Sequence, residues 1–449
     1  MTLKEREEPL KTQLLTRTPL LRRPDVRSLV TVALLAEIGY AVMNLSAMGP
    51  YLQFDRGMGV DIYGVVVAAF LLSEALFKSP MGHLADRYGR RLFMTIGPLL
   101  SIGTAVVTIF LPHNLGALEV LVFVLLRVID GMGLAMIQPA VYATMSDLVT
   151  PDERQEGLSY LNLCYLMGVA LAMPIGGAIN DATHHKTASF WLSAFMFACV
   201  SFAAYRLKSL GPANRDRAPK ESSGEEGFGF SELKKAAKRN PIYVGLAFLT
   251  FMGVGAPMPI FKVFPMLEFH LTETQVGFLV FPVVIAMMLA NGFVSKMGQK
   301  IGRARSVHWG IGLCALGMAT LASGMVLPFM RNIPVVTLSL VPVGIGFLLA
   351  IPAWYASVSD LDPENRGINI GLIMTGQGLG AITGDLAGGF LSKHLEPVGD
   401  RLGLGATFGN YMPFACSCLF ITIGWVLSLR VLKDEGPNPP ALPSEPAVQ

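Results

Sequence analysis

The stretch SPMGHLADRYGRR, residues 79–91, decides how this chain is read. A long apolar run leads into it and another apolar run starts at Leu92. Asp86, Arg87, Arg90 and Arg91 crowd between them. Charges packed so tightly between two such runs mark a turn held at a water surface, with a helix entering lipid on either side.

The rest of the chain agrees. Of 449 residues, 52% are hydrophobic and only 15% charged, and the mean hydropathy is +0.51. A soluble domain carries about 25% charged residues. A span across a hydrocarbon core needs about 20 apolar residues. Such runs fall at 29–52, 61–83, 92–111, 117–147, 156–179, 187–206, 242–267, 274–296, 305–327, 334–359, 367–392 and 407–432. These are spans 1 to 12 of an all-α integral membrane protein. Segment 1–28 is polar, with no cleavable leader, so span 1 serves as the insertion signal. With that segment inside, inner segments hold 27 Lys and Arg and outer loops hold 5. That sorting puts both termini in the cytoplasm and the protein in a plasma membrane, expected to be a bacterial inner membrane. The net charge of +3 reflects this sorting and carries no signal for nucleic acid. All five cysteines lie inside apolar runs, which suits buried thiols better than disulfides or a metal site.

The sequence repeats itself at an offset of 212–213 residues. Gly64 answers to Gly277 and Gly89 to Gly302; DGMGLAMIQPAVYATMSDL (130–148) answers to VGIGFLLAIPAWYASVSDL (343–361). GVALAMPIGG (168–177) answers to GAITGDLAGG (380–389). Two six-helix bundles, 29–206 and 242–432, follow from this. A polar linker (207–241) joins them, and a Pro-rich tail (433–449) is expected to be disordered. Parallel repeats of this kind form a substrate site where the two bundles meet, near the bilayer midplane.

Residues 82–91 fill every position of Gly-x-x-x-Asp-Arg-x-Gly-Arg-Arg, and the segment resembles the signature turn of the major facilitator superfamily. LRVIDGMG (126–133), SDLVTPDER (146–154) and GVALAMPIGG resemble further motifs of that family, and the pattern is most similar to its twelve-helix drug:proton antiporters. The resemblance implies the major facilitator fold, with two pseudo-symmetric bundles rocking about a central site. It also implies a cytoplasmic latch of Gly82, Asp86, Arg87, Gly89, Arg90 and Asp147. Asp86 would approach the start of span 11, near Asn365–Asn369, and Arg90 would pair with Asp147. In the second copy Gln299 and Lys300 stand where Asp86 and Arg87 stand in the first, which leaves the latch one-sided.

Ionisable groups inside spans cost about 2.5–3.5 kcal/mol each and are functional suspects. Glu37, roughly 12 Å deep at 1.5 Å per residue, has no local partner and is the leading proton carrier, or an interface residue near the headgroups if span 1 begins later. Glu74 has Lys78 four residues on and either carries a proton or is neutralised by it. Arg127 and Asp130 either pair with each other or take part in coupling. Asp385 answers to Met173, as a second coupling carboxylate or as an outer gate contact. Lys262, in a proline-broken span 7, is expected to snorkel outward. By depth, Asn44, Gln138, Tyr142, Asn162, Tyr165, Asn291, Trp354, Tyr355 and Gln377 are candidates to line the cavity. Tyr142 and Tyr355 are equivalent in the two repeats; they line the cavity or bond neighbouring helices. Gly168, Gly176, Gly177, Gly380, Gly384, Gly388 and Gly389 of spans 5 and 11 read as rocking surfaces or as static helix packing.

No phosphate-binding loop, metal cluster or hydrolytic triad stands out, so neither an enzyme nor an ATP drive is expected. No cofactor is expected beyond a proton as coupling ion. Partners are a small-molecule substrate, protons and membrane lipid, and the working unit is expected to be a monomer. Three functions stay open: proton-coupled export of amphipathic or lipophilic molecules; a proton-symport metabolite importer or lipid translocator; and a non-transporting sensor.

Overall fold

A computed structural model describes residues 20–150, 153–207, 241–359, 366–404 and 406–432. Most of segment 1–28, nearly all of the linker and the tail after Leu432 lie outside the described residues.

Hydrocarbon offers the backbone no hydrogen bonds, so a spanning chain closes them within helices. The helices are α1 (Pro24–Asp55), α2 (Val60–Tyr88), α3 (Arg90–Phe110), α4 (Ala117–Leu148), α5 (Arg154–Thr183) and α6 (Ala188–Arg206). The second set is α7 (Pro241–Gly255), α8 (Glu273–Ile301), α9 (Arg303–Ser323), α10 (Ile333–Ser359), α11 (Arg366–His394) and α12 (Ala406–Val431). Pro257 and Pro259 end α7 early, and the chain resumes as a short helix at Val263–Phe269. Ten of the helices among the described residues are long and apolar enough to cross a membrane. Their outer faces stay apolar, as at Leu289 (80% exposed) and Phe293 (71%), which suits lipid as solvent.

Each set buries its own core. In the first, Tyr40 packs on Phe197 with ring centroids 4.6 Å apart, and Tyr51 packs edge-on to Phe190. In the second, Phe264 sits 4.8 Å from the rings of both Tyr411 and Phe414. The charged turn between α2 and α3 reverses at Gly89, with φ +108°, and the α8–α9 turn reverses at Gly302, with φ +93°. A Cβ resists such positive φ, so glycine at both copies lets one tight reversal serve twice.

The two bundles meet along two seams, α2 on α11 and α5 on α8. Backbone lies on backbone there. A Cβ on Gly64 would sit 3.3 Å from the Asp385 carbonyl oxygen, and one on Gly389 2.9 Å from that of Val60. A Cβ on Gly177 would lie 2.5 Å from the Glu273 carbonyl, and one on Gly277 would strike Pro174. The glycines of α5 and α11 divide between the two roles open to them. Gly168 and Gly176 face Glu37 and Ser46 of α1, and Gly380, Gly384 and Gly388 face Phe248, Met252 and Ala256 at α7. Those five pack helices within one bundle.

Gly388→Val would force a side chain into the Ala256 carbonyl, and overpacking costs about 1–3 kcal/mol or more. Gly103 has nothing within 4 Å of its added Cβ. In detergent melts, Gly388→Val should unfold several degrees below the parent protein and Gly103→Val close to it.

Candidate functional site

The cross-bundle hydrogen bonds of Glu273, Lys262, Asp181 and Asp61 lie at one end, which carries the α1–α2, α5–α6 and α11–α12 connections. It is called the gate end below; the opposite end, with the α2–α3 turn, is the turn end.

At the gate end the central group is Glu273, in the first turn of α8 and 0% exposed. Thr272 caps the helix: its hydroxyl accepts from the Gln275 N–H at 3.3 Å and the Gln275 side chain accepts from the Thr272 N–H at 2.9 Å. This box points the next residue, Glu273, into the α5–α8 seam. Its Oε1 accepts from Lys186 at 2.7 Å, and its Oε2 from Lys262 at 2.6 Å and from Asn180 at 3.0 Å. Lys262 also donates to the Ser46 hydroxyl at 2.9 Å and to the Ser46 carbonyl. Pro50, four residues on, has no N–H to give that carbonyl. Beside this group, Asp181 accepts from the backbone and hydroxyl of Thr274, at 2.8 and 2.6 Å. On the other seam, Lys393 bonds both oxygens of Asp61 at 3.0 Å.

Lys262 therefore does not snorkel. It is 4% exposed and bound inside the protein. Its four-carbon stem would reach water from many positions, but Glu273 and Ser46 offer its ammonium a complete set of acceptors. Sequence reasoning also missed Glu273, Lys186 and Asn180. The available signal was Thr272-x-x-Gln275, a capping box that puts an acidic residue in the first turn of a membrane helix. A second overlooked pair, Arg56 with Glu119 at 2.8 Å, locks α1 to α4 within the first bundle.

At the turn end Arg90 bonds Asp86 at 2.7 Å and Asp147 at 2.5 Å. Arg87 lies over the ring of Tyr88, Gly82 faces Pro139, and Gly89 makes the reversal. All these contacts stay within the first bundle. Asn365 lies outside the described residues.

In a small cleft between α1, α4 and α5, Glu37 meets Gln138, Tyr142, Leu134 and Leu161. Gly168 presses on the Glu37 backbone and fixes its height. Glu37 makes no hydrogen bond or ion pair with a described residue. Tyr142 (36% exposed) and Tyr165 (47%) lie within its electrostatic reach and keep open faces.

The remaining acidic groups differ. Glu74 pairs with Lys78 at 2.7 Å. Arg127 and Asp130 pair at 3.1 Å with almost no exposure. Arg127 also donates to Asn44 at 3.2 Å, and Thr104 reaches Asp130 at 3.4 Å. This pair sits in the core of the first bundle. Asp385 is 0% exposed on the α2–α11 seam, and neither carboxyl oxygen has a hydrogen-bond partner.

Two cavity assignments are corrected. Trp354 is 0% exposed and belongs to the second core. Gln377 is 4% exposed and accepts a 2.7 Å bond from Tyr355. Depth along a span places a residue at the right level, but rotation about the helix axis decides what it faces, and that comes from packing. Asn162 and Asn291 are exposed, and Tyr355 is half-buried.

The Major Facilitator Superfamily model matches residues 29–264 and again 243–448. Multidrug resistance protein 2 of Bacillus subtilis is 25% identical, over 81% of this chain and 88% of that protein. Multidrug resistance protein 1 of the same organism is 24% identical, over 76% and 83%. Among solved structures, an inward-facing, unoccupied bacterial homologue of the human lysosomal transporter Spinster superposes with a TM-score of 0.71. It shares 15% identity and covers 92% of this chain and 97% of its own. A D-xylose–proton symporter gives 0.69 at 15% identity, covering 89% and 97%. Paired bundles, duplicated glycine turns and whole-length similarity agree: the chain belongs to the major facilitator superfamily and is a multi-pass membrane transporter, not an enzyme.

Proposed function

We propose that this transporter exports lipophilic or amphipathic small molecules in exchange for protons, by alternating access, with both termini in the cytoplasm. The observation that carries the reading is Glu37: an acidic side chain at membrane depth, in a cleft with Gln138 and Tyr142, unpaired among the described residues. The names of the Bacillus relatives support the substrate class. The Lys and Arg sorting supports the orientation, which turns the gate end outward and the turn end to the cytoplasm.

The physical logic is competition for one carboxyl group. An ionised, partnerless carboxylate at membrane depth costs about 2.5–3.5 kcal/mol. A bound proton removes that charge; a cationic amphiphile neutralises it. Either occupant lets the bundles rock, and the empty ionised site resists rocking. Proton entry and cargo exit then alternate on the same group. Tyr142 and Tyr165 offer aromatic faces to an apolar or cationic cargo, and Gln138 offers a polar contact. Asp385 is a second candidate for protonation, because it lies in a seam that closes and has no cation beside it. Glu74 and Asp130 suit the role less, since Lys78 and Arg127 already compensate them. Arg90, held by Asp86 and Asp147, shapes the cytoplasmic mouth.

In everted vesicles that hold an acid interior, adding a lipophilic cation should release protons, read as recovery of a quenched pH dye. Glu37→Gln should abolish that release at equal expression; undiminished exchange would remove Glu37 from the mechanism. Tyr142→Ala should weaken binding of the same cation about tenfold, between the worth of an exposed and a desolvated cation–π contact, as measured by equilibrium binding to purified protein.

A further inference from the structure

Glu273 is the one carboxylate among the described residues that two lysines share, and the lysines come from different bundles. Lys262 precedes α8 in the second bundle; Lys186 lies in the α5–α6 connection of the first. Both carboxylate oxygens of Glu273 accept hydrogen bonds, and all three hydrogens of the Lys262 ammonium are engaged, by Glu273 and by the carbonyl and hydroxyl of Ser46. Lys186 stands at the rim, its side chain 30% exposed.

The repeat sharpens the point. Glu273 and Thr274 occupy the places that Val60 and Asp61 hold in the first copy, and Asp181 the place that Lys393 holds in the second. On the α2–α11 seam the outcome is a rim ion pair, Asp61 with Lys393, with side chains 24% and 48% exposed. Exposed pairs of that kind contribute little. On the α5–α8 seam the equivalent backbone positions enclose a buried carboxylate and a buried ammonium. Gly177 permits this: any Cβ there would lie on the Glu273 backbone.

We infer that Glu273 is the positioning residue of the outer gate: its carboxylate neutralises Lys262 when the bundles close at this end, so the closed state depends on that charge balance. The inference rests on the alternating-access reading and its orientation. Closure takes both charges out of water. The pair is tolerable together, while either charge enclosed alone is heavily penalised, and removing both at once is close to neutral. When the bundles part, water reaches the seam and solvates whichever group is left. A substitution at Glu273 therefore acts mainly on the closed state. The sign of its effect follows the charge left behind and not the volume removed.

Three variants separate this from simple loss of packing. Glu273→Gln keeps the shape and strands the Lys262 ammonium. Lys262→Met leaves Glu273 held by Lys186 and Asn180. The double variant Lys262→Met/Glu273→Gln removes both buried charges. The gate is read as a distance between nitroxide labels at Leu118→Cys and Phe329→Cys, exposed gate-end positions on opposite bundles. The labels are placed in full-length protein without native cysteines, reconstituted in lipid at fixed pH without substrate or gradient. Glu273→Gln should raise the ratio of long to short distances at least tenfold. Lys262→Met should raise it less, and the double variant should return it to within about threefold of the parent. An unchanged ratio in Glu273→Gln, or a double variant as open as Glu273→Gln, would overturn the assignment. If Glu273→Gln does not fold, Lys186→Met carries the test. It should shift the ratio the same way by a smaller factor, and no shift would count against the gate. Because no cargo or gradient is used, the result is the same for an exporter or an importer. Failure of Glu37 as proton carrier would leave the reading of the gate intact.

Discussion

Two membrane bundles can close on each other only where backbone meets backbone. Lipid is as apolar as the helix surfaces it covers, so no hydrophobic drive holds the bundles together, and close packing with a few polar contacts must do so. Gly64 and Gly389 on one seam, and Gly177 and Gly277 on the other, remove the side chains that would keep the helices apart. The hydrogen bonds of Glu273, Asp181 and Asp61 all lie along these contacts. A methyl group at Gly177, Gly277 or Gly389 would strike the facing backbone at under 3 Å and push these polar partners apart, while one at Gly64 would press on the Asp385 carbonyl at 3.3 Å.

The two seams share a backbone plan and differ in chemistry. Where α5 faces α8, Met173 is buried and the charges above it are paired. Where α2 faces α11, the equivalent position is Asp385, buried without a hydrogen-bond donor, under an exposed ion pair. One seam stores a compensated pair and the other an uncompensated carboxyl group. On the proposed alternating access, rocking would expose both to water, so a symmetric motion would carry asymmetric electrostatics. In the proposed exchange, that asymmetry would let a duplicated architecture respond to a proton on one side of its axis and keep a structural clasp on the other.

Glu37 shows how packing sets the depth of a functional group. Gly168 of α5 lets α1 approach closely, which holds the Glu37 backbone against α5 and turns its side chain toward Gln138 and Tyr142. Arg127 and Asp130 look similar on paper, as ionisable residues at membrane depth. They form instead a buried ion pair in the first core, with Asn44 of α1 and Thr104 of α3 alongside. The first arrangement leaves a group free to change partners; the second holds one in place.

Length, hydropathy, charge sorting and the internal offset of 212–213 residues determine by themselves twelve helices and a duplicated plan. Those properties are local or periodic: a span must be apolar for about 20 residues wherever it sits, and a tight reversal needs glycine wherever it occurs. The Arg90–Asp147 contact was legible too, because both residues belong to short motifs at one end of adjacent helices. What the sequence could not decide was helix rotation and long-range partnership. Trp354 and Gln377 have the right depth and the wrong azimuth, since core packing and the Tyr355 hydroxyl claim them. Lys262, Glu273, Lys186 and Ser46 lie up to 227 residues apart in the chain. They become one group only when α1, α5, α7 and α8 converge. A lysine near a membrane surface has water as its default partner, and only the folded neighbours offered it a better one.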